Sequence, residues 1–377
     1  MNQSATMSAS WIRRLVRAEW FLAVGALTSL AFLRFEAVLF AGLDNWLWLA
    51  ALFLWLFVVV LGCALAVVRH AEQLSEQLGE PYGTLVLTLS ITAIEVMSIS
   101  AVMLHGEPNP TLVRDTLFAV VMIVLGGMVG SSLLFGALRH REQVHNLQGA
   151  NTYLGVIVPL AVFCLILPNF TVTTPGPILS PLQGAALALM SIGLYATFLV
   201  LQTGRHRGYF TMGDEHRQDS LPLAHGNDAV VREAVLLVAY MVPVVFLVEH
   251  LAKPIDYLTE TLRAPQAIGG VIMAVLVATP EAIGAVRAAM DDRLQRSVNI
   301  SLGSVLSTIG LTVPSMLGVG WLTGHEIVLG LEHTGTVLLL LTLGVTVITF
   351  ASGRTNLMQG AVHVLLFMAF LLLIFEA

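Results

Sequence analysis

The stretch LSITAIEVMSIS, residues 89–100, lies in an apolar run from Gly83 to Leu104 whose single formal charge is Glu95. A second stretch, VLVATPEAIGAV at 275–286, sets Glu281 in a similar run. Runs of about 20 apolar residues match the thickness of a bilayer core. A carboxylate in the middle of such a span costs roughly 2.5–3.5 kcal/mol on insertion scales, and its default reading is functional. Two of them pose one question: what would load both?

Composition sets the class. Of 377 residues, 56% are hydrophobic and 11% charged, whereas a soluble domain carries roughly 25% charged residues. The fold class expected is an all-α polytopic membrane protein. About eleven transmembrane helices are predicted, near 19–40, 46–68, 83–104, 115–138, 151–170, 181–202, 232–251, 266–289, 297–321, 334–351 and 356–376. Arg13, Arg14 and Arg17 precede the first span as in a signal peptide. The run meets Arg34 and Glu36 without a clear small-residue cleavage site, so a retained first helix is expected. Of the 18 Lys and Arg residues, only Arg34, Arg114, Lys253 and Arg263 fall on the external side when the N-terminus is set in the cytoplasm. That bias predicts a cytoplasmic N-terminus and an external C-terminus in a bacterial inner (plasma) membrane.

With the first span set aside, five spans, a polar stretch and five spans remain. The polar stretch is RHRGYFTMGDEHRQDSLPLAHGND, 205–228. The predicted division is a tail with the first helix (1–45), a first five-helix repeat (46–204), a cytoplasmic linker loop (205–231) and a second five-helix repeat (232–377). Glu95 and Glu281 each occupy the second span of their unit. An offset of 186 aligns them and lays Gly83-Thr84-Leu85 over Gly269-Gly270-Val271. The last spans open alike, LQGAALAL at 182–189 and MQGAVHVL at 358–365, at an offset of 176. A unit with an odd number of spans enters the membrane from opposite sides in its two copies. The repeats are therefore inverted, and their shared site is expected near the midplane.

Two facing carboxylates should not persist there as bare anions. Two protons or one divalent cation would cancel both charges, so the loaded site could be occluded and moved while the empty one could not. Glu95 and Glu281 are therefore the expected proton- and metal-binding residues. A hard cation takes oxygen ligands. Candidate ligands are Ser90 and Thr92 beside Glu95, with Thr279 two residues before Glu281. Asn299 and Ser304 of SVNISLGSVLSTIG lie on the next span, alongside Ser301, Ser307 and Thr308. Pro280 has no N–H and should free the carbonyl of Leu276, and broken helices that offer carbonyls to an ion are a transporter device. Hydroxyls also serve as interhelical hydrogen-bonding groups. His70 and His140, at span ends, are candidates for a proton access route, with solvated surface histidines as the other reading. His363, inside the last span, reads as packed or hydrogen-bonded to backbone.

Other chemistries lack their signatures. There is no G-x-x-x-x-G-K-[ST], H-E-x-x-H or G-x-S-x-G. Cys63 and Cys164 lie within apolar runs and read as buried small hydrophobes. A net charge of −6 without a dense basic cluster gives no sign of nucleic acid. The expected partners are transported cations, protons and the lipid bilayer, with no nucleotide and no bound cofactor. An uncoupled channel and an intramembrane metal enzyme remain open on the residues alone.

Five segments carry a family resemblance: VVRHAEQLSEQLGEPYGTL (67–85), TLVRDTLFAVVMIV (111–124), HREQVHNLQGANTYL (140–154), NISLGSVLSTIGLTVP (299–314) and GRTNLMQGAVH (353–363). The chain resembles the calcium/cation antiporter superfamily, in its cation/proton exchanger branch, and within that the bacterial ChaA-type sodium (potassium, calcium)/proton antiporters. The resemblance implies one extra helix plus two inverted five-helix repeats, an acidic ion ligand on each second helix, and alternating access in which cation leaves as protons enter. The family's Gly-Asn-x-x-Glu motif reads Ile91-Thr92-Ala93-Ile94-Glu95 and Val277-Ala278-Thr279-Pro280-Glu281 here, so both Asn positions are replaced. The Gly-Ser of the following helix is kept as Gly303-Ser304, with Val121-Met122 aligned to it in the first unit. The expected function is a secondary antiporter, not an enzyme, exporting Ca2+ or, as the alternative, Na+ or K+ against protons.

Overall fold

The structure, a computed structural model, describes residues 19–79, 82–105, 109–212 and 227–376. Arg13, Arg14 and Arg17, and residues 213–226 of the polar linker, lie outside the described residues. Among those described, 11 helices are long and apolar enough to cross a membrane. They are α1 (Trp20–Phe40), α2 (Trp46–Leu78), α3 (Tyr82–Leu104), α4 (Leu112–His140), α5 (Leu147–Leu165), α6 (Pro181–Thr203), α7 (Asp228–Thr261), α8 (Ala267–Met290), α9 (Leu294–Thr323), α10 (His333–Phe350) and α11 (Leu357–Phe375).

Each predicted span is one helix, but three extents differ. α2 continues past residue 68 to Leu78, and α7 continues past 251 to Thr261. Hydropathy detects the lipid-crossing part only. The extension of α2 is amphipathic, with His70, Ala71 and Leu74 buried, so the backbone has no reason to stop before Gly79 at φ 64. α5 ends at Leu165, before the predicted 170, because Pro168 sits in a separate turn over Leu167–Phe170. Helix starts follow capping chemistry. Asn45 and Asn146 accept backbone N–H groups at the heads of α2 and α5, and Ser180 with Gln183 forms a capping box at α6.

The connections sort onto two faces, as an odd number of spans requires. On the face that carries the linker, His140 at the end of α4 meets the Met290 carbonyl, and Gln143 donates to the carbonyl of Ala289 and to Asp292. There Gln143–Val144 (β1) also pairs antiparallel with Arg354–Thr355 (β2). On the opposite face Val328 N–H donates to the Pro110 carbonyl, and Leu331 N–H to the Leu165 carbonyl.

α2 and α7, the first helices of the two five-helix units, lie along each other at the centre. α1 rests on both, and a methyl at Gly25 would meet Cys63 of α2 and Pro243 of α7. The linker-side ends of the three are pinned by charge. His70, 2% exposed, has Nδ1 2.6 Å from Glu233 and Nε2 3.3 Å from Glu19, which also accepts from Arg69 and Tyr240. Exposed Leu27, Leu30 and Leu33 on α1, and Leu365 and Leu372 on α11, belong to the apolar exterior that a bilayer requires.

Both third spans contain a π-helical turn, Ile123–Met128 in α4 and Thr308–Thr312 in α9. Their starts are 185 residues apart (308 − 123), one short of the spacing between the glutamates (281 − 95 = 186). The same local device thus recurs at the same place in each half. The turns also set a register between α4 and α9 in which Ser304 corresponds to Ala119, not to Met122 as the sequence alignment had it.

Candidate ion-binding site

Three helices build the site. Glu95 projects from α3 and is 1% exposed; Glu281 projects from α8 and is 9% exposed. α9 lies between them and serves both. Ser304 Oγ donates to Glu281 Oε2. Thr308 Oγ1 and Thr312 Oγ1 donate to Glu95 Oε2 at 3.1 and 2.7 Å. Ser304, Thr308 and Thr312 are four residues apart in turn and so share one side of a helix. The π turn begins at Thr308, and such turns concentrate at functional sites. Gly310 within it leaves room for the ring of Tyr195, whose Cδ2 would stand 3.1 Å from an added methyl.

Charge is not balanced by side chains. Among the described residues neither glutamate has a Lys, Arg or His within ion-pair distance. Glu95 Oε1 is buried without a hydrogen-bond partner, and so is the hydroxyl of Thr92 one turn earlier. An unpaired buried carboxylate is costly, so the site demands a proton or a cation. The absence of a neighbouring base leaves that demand to something that comes and goes.

Access is one-sided. A cavity of about 220 Å³ reaches Glu281 and Ser304, with Glu72, Gln202 and Arg296 toward its linker-side end. Glu281 is in its wall; Glu95 is not. The two carboxylates are therefore unequal in this state, one facing the cavity and one behind it, joined through α9.

The other sequence candidates fall differently. Ser90 is buried on α3. Thr279 donates to the carbonyl of Val275 at 2.5 Å, so its proton is spent within α8. α8 is not broken at Pro280; it is helical from Ala267 to Met290. The Leu276 carbonyl still loses its N–H partner to Pro280, but it does so within a continuous helix. Asn299 is tied elsewhere, because it accepts from Gln295 at 2.8 Å and donates to the Phe210 carbonyl at 2.7 Å, anchoring the start of the linker. His70 is not a solvated surface group but lies buried between two carboxylates. His140 is spent on the Met290 carbonyl. His363, 0% exposed, donates from Nδ1 to the Leu125 carbonyl at 2.6 Å and accepts at Nε2 from Thr349 at 3.0 Å. It thus satisfies a carbonyl within the π turn of α4. Cys63 and Cys164 are both free and buried. Thr312 escaped the sequence reading, although a hydroxyl every fourth residue from Ser304 was the available signal.

The sodium/calcium exchanger protein family matches residues 48–204 and 233–376. The chain is 38% identical over 319 residues to the sodium-potassium/proton antiporter ChaA of Escherichia coli (strain K12), covering 84% of this chain and 86% of that one. It is 41% identical over 314 residues to the putative ionic transporter y4hA of Sinorhizobium fredii, covering 83% and 85%. The fold is shared with native YfkE at a TM-score of 0.70 and 19% identity, covering 95% of this chain and 100% of that one. A multi-pass bundle with two unbalanced intramembrane carboxylates, and a family match to each half of it, places the chain in the sodium/calcium exchanger family, as a cation/proton antiporter of the calcium/cation antiporter superfamily and a secondary transporter rather than an enzyme.

Proposed function

We propose that Glu95 and Glu281 form the shared site at which a cytoplasmic cation is exchanged for protons, and that the cation is Ca2+. The observation that carries this reading is the single side of α9 that holds both carboxylates, Ser304 on Glu281 and Thr308 with Thr312 on Glu95. Two anions joined in this way balance one divalent ion or two protons, and each load removes the cost of the other. Thr92, with its buried and unpartnered hydroxyl, supplies a further oxygen. The N-terminus and linker face the cytoplasm, following the distribution of Lys and Arg, and the cavity at Glu281 then opens inward. The two repeats run from 46 to 204 and from 232 to 377, and His70 and His140 lie on the cytoplasmic side where protons leave.

A second reading is favoured by a different observation. Of the two site glutamates only Glu281 lines the cavity, and a single carboxylate balances one monovalent ion. The Escherichia coli relative bears the name of a sodium-potassium/proton antiporter.

One experiment tests both. Proteoliposomes with an acid interior are followed by an internal pH dye while Ca2+, Na+ or K+ is added outside. Collapse of the gradient by Ca2+ supports the first reading, and collapse by Na+ or K+ alone supports the second. The Glu95→Gln and Glu281→Gln variants must each abolish the response. Retained exchange in both would remove these residues from the site.

A further inference from the structure

We infer that Tyr195 of α6 is a positioning residue for exchange, one that holds α9 and α3 in the register at which Thr308 and Thr312 meet Glu95. The inference rests on Glu95 and Glu281 as the exchange site and adds to it a residue that acts through α9 and not on a carboxylate.

Tyr195 stands where three helices meet. It is 8% exposed and lines the cavity that Glu281 faces. Its ring fills the notch left by Gly310, where an added methyl would stand 3.1, 3.2 and 3.4 Å from its Cδ2, Cβ and Cγ. Gly310 lies inside the π turn, midway between Thr308 and Thr312. The Tyr195 hydroxyl reaches the other way, into a hydrogen bond with Thr88 of α3, which also lines the cavity. Thr88, Thr92 and Glu95 follow one another at spacings of four and three residues and so share one side of α3. One side chain therefore spans from the turn that carries the donors of Glu95 to the helix that carries Glu95 itself.

Packing accounts for the ring but not for the hydroxyl. The π turn of α4 has a similar notch, since a methyl at Gly126 would stand 3.0 Å from Cβ of Phe367 on α11. Each five-helix unit thus sets an aromatic residue of its last helix against the π turn of the other unit. Against α4 that residue is a phenylalanine, and among the described residues no hydroxyl of α4 is bonded to either glutamate. Against α9 it is a tyrosine, and α9 holds both glutamates. The phenolic oxygen is present where there is a register to keep. That register matters because Thr308 and Thr312 converge on one oxygen, Glu95 Oε2, at 3.1 and 2.7 Å, and hydrogen bonds weaken steeply as they lengthen or bend. A small slip of α3 along α9 would loosen both.

The test uses the full chain in proteoliposomes, with the initial rate of gradient collapse measured as Ca2+, Na+ and K+ are titrated in turn. Tyr195→Phe keeps the ring and removes the bond to Thr88. It should raise the half-saturating concentration of the exchanged cation about two- to tenfold, as one neutral hydrogen bond allows, and keep the maximal rate. A residue that only supports the fold would do the reverse, lowering the maximal rate through loss of active protein and leaving half-saturation alone. In Thr312→Val the same change should add little, because the bond that the register protects is already gone, whereas independent roles would multiply. Should Tyr195→Phe fail to fold, Gly310→Ala carries the same cycle, since its methyl displaces the ring and leaves the hydroxyl in the chain. Unchanged half-saturation, a fall in maximal rate alone, or shifts that multiply with those of Thr312→Val would overturn the assignment. Exchange that survives Glu95→Gln and Glu281→Gln would instead overturn the exchange site itself, so the two failures are distinguishable.

Discussion

Replacing Thr312 by Val removes one hydroxyl from the site with almost no change of shape. Thr312 is 0% exposed and donates to Glu95 Oε2 at 2.7 Å, the shorter of the two bonds that oxygen receives. A hydrogen bond to a charged group contributes about 1.5–3 kcal/mol. On the proposed reading the ionised form of Glu95 is the one that takes the cation, and it loses that amount. Since about 1.4 kcal/mol is tenfold in an equilibrium constant, the half-saturating cation concentration at fixed pH should rise about ten- to a hundredfold. The lower end applies if the bound cation takes over part of the lost stabilisation. The assay is the initial rate of gradient collapse in proteoliposomes as a function of cation concentration, with Thr312→Ser as the control that restores the donor. Unchanged half-saturation in Thr312→Val, in protein whose Glu95→Gln variant is inactive, would show that α9 does not tune Glu95.

Burial by itself would raise the Glu19 carboxyl, but the Tyr240 hydrogen bond and the charges of Arg69 and His70 outweigh it and hold the group below the usual carboxylate range. A lowered acid stabilises the fold fully above its unfolded value of about 4.3 and loses that contribution as pH falls through the lower folded value. Thermal unfolding curves of the wild type and Glu19→Gln should therefore differ at neutral pH and converge in acid, and a gap that persists at low pH would contradict the charge account. Pro280→Ala restores an N–H opposite the Leu276 carbonyl in a continuous helix, so it should raise thermal stability by up to about 3 kcal/mol; a fall in stability would mean that the proline shapes α8 in a way the helix geometry does not record. His363→Leu strands the Leu125 carbonyl and the Thr349 hydroxyl in the interior at a cost of about 1–3 kcal/mol each. It should lower thermal stability while leaving the half-saturating cation concentration unchanged, and a shift in half-saturation would make His363 part of the ion path.

The fold was legible because lipid imposes so few solutions. Eleven apolar runs had to be helices, and the lone charges within two of them marked the repeat. Hydropathy could not see the amphipathic end of α2 or the tail of α7, since those residues bury one side against protein and not against lipid. At the site, Glu95, Glu281 and Ser304 were readable from charge and from the following helix. Thr308 stood among the hydroxyls of that span and Thr312 continued its four-residue spacing, but which glutamate each would hold depended on how α9 packs between α3 and α8. Thr279 and Asn299 take hydrogen-bond partners other than the glutamates for a local reason. A Thr in a helix can donate to its own backbone four residues back, and an Asn near a helix start finds loop carbonyls first. Neither preference is visible in spacing. His70 showed only that it sat at a span end, and its two carboxylate neighbours come from positions 51 and 163 residues away.

The hydroxyl side of α9 has no counterpart on α4. In the register of the π turns, Ser304, Thr308 and Thr312 face Ala119, Ile123 and Gly127. The two halves are therefore specialised differently. Each contributes a carboxylate, but the hydroxyls that hold both carboxylates reside in the second half alone. A chimera built from two first halves would carry two acids with no hydroxyl to hold them, and one built from two second halves would carry twice the complement. Neither could stand in for the native pair, and substitutions along α9 should be tolerated far less readily than those at the matching places on α4.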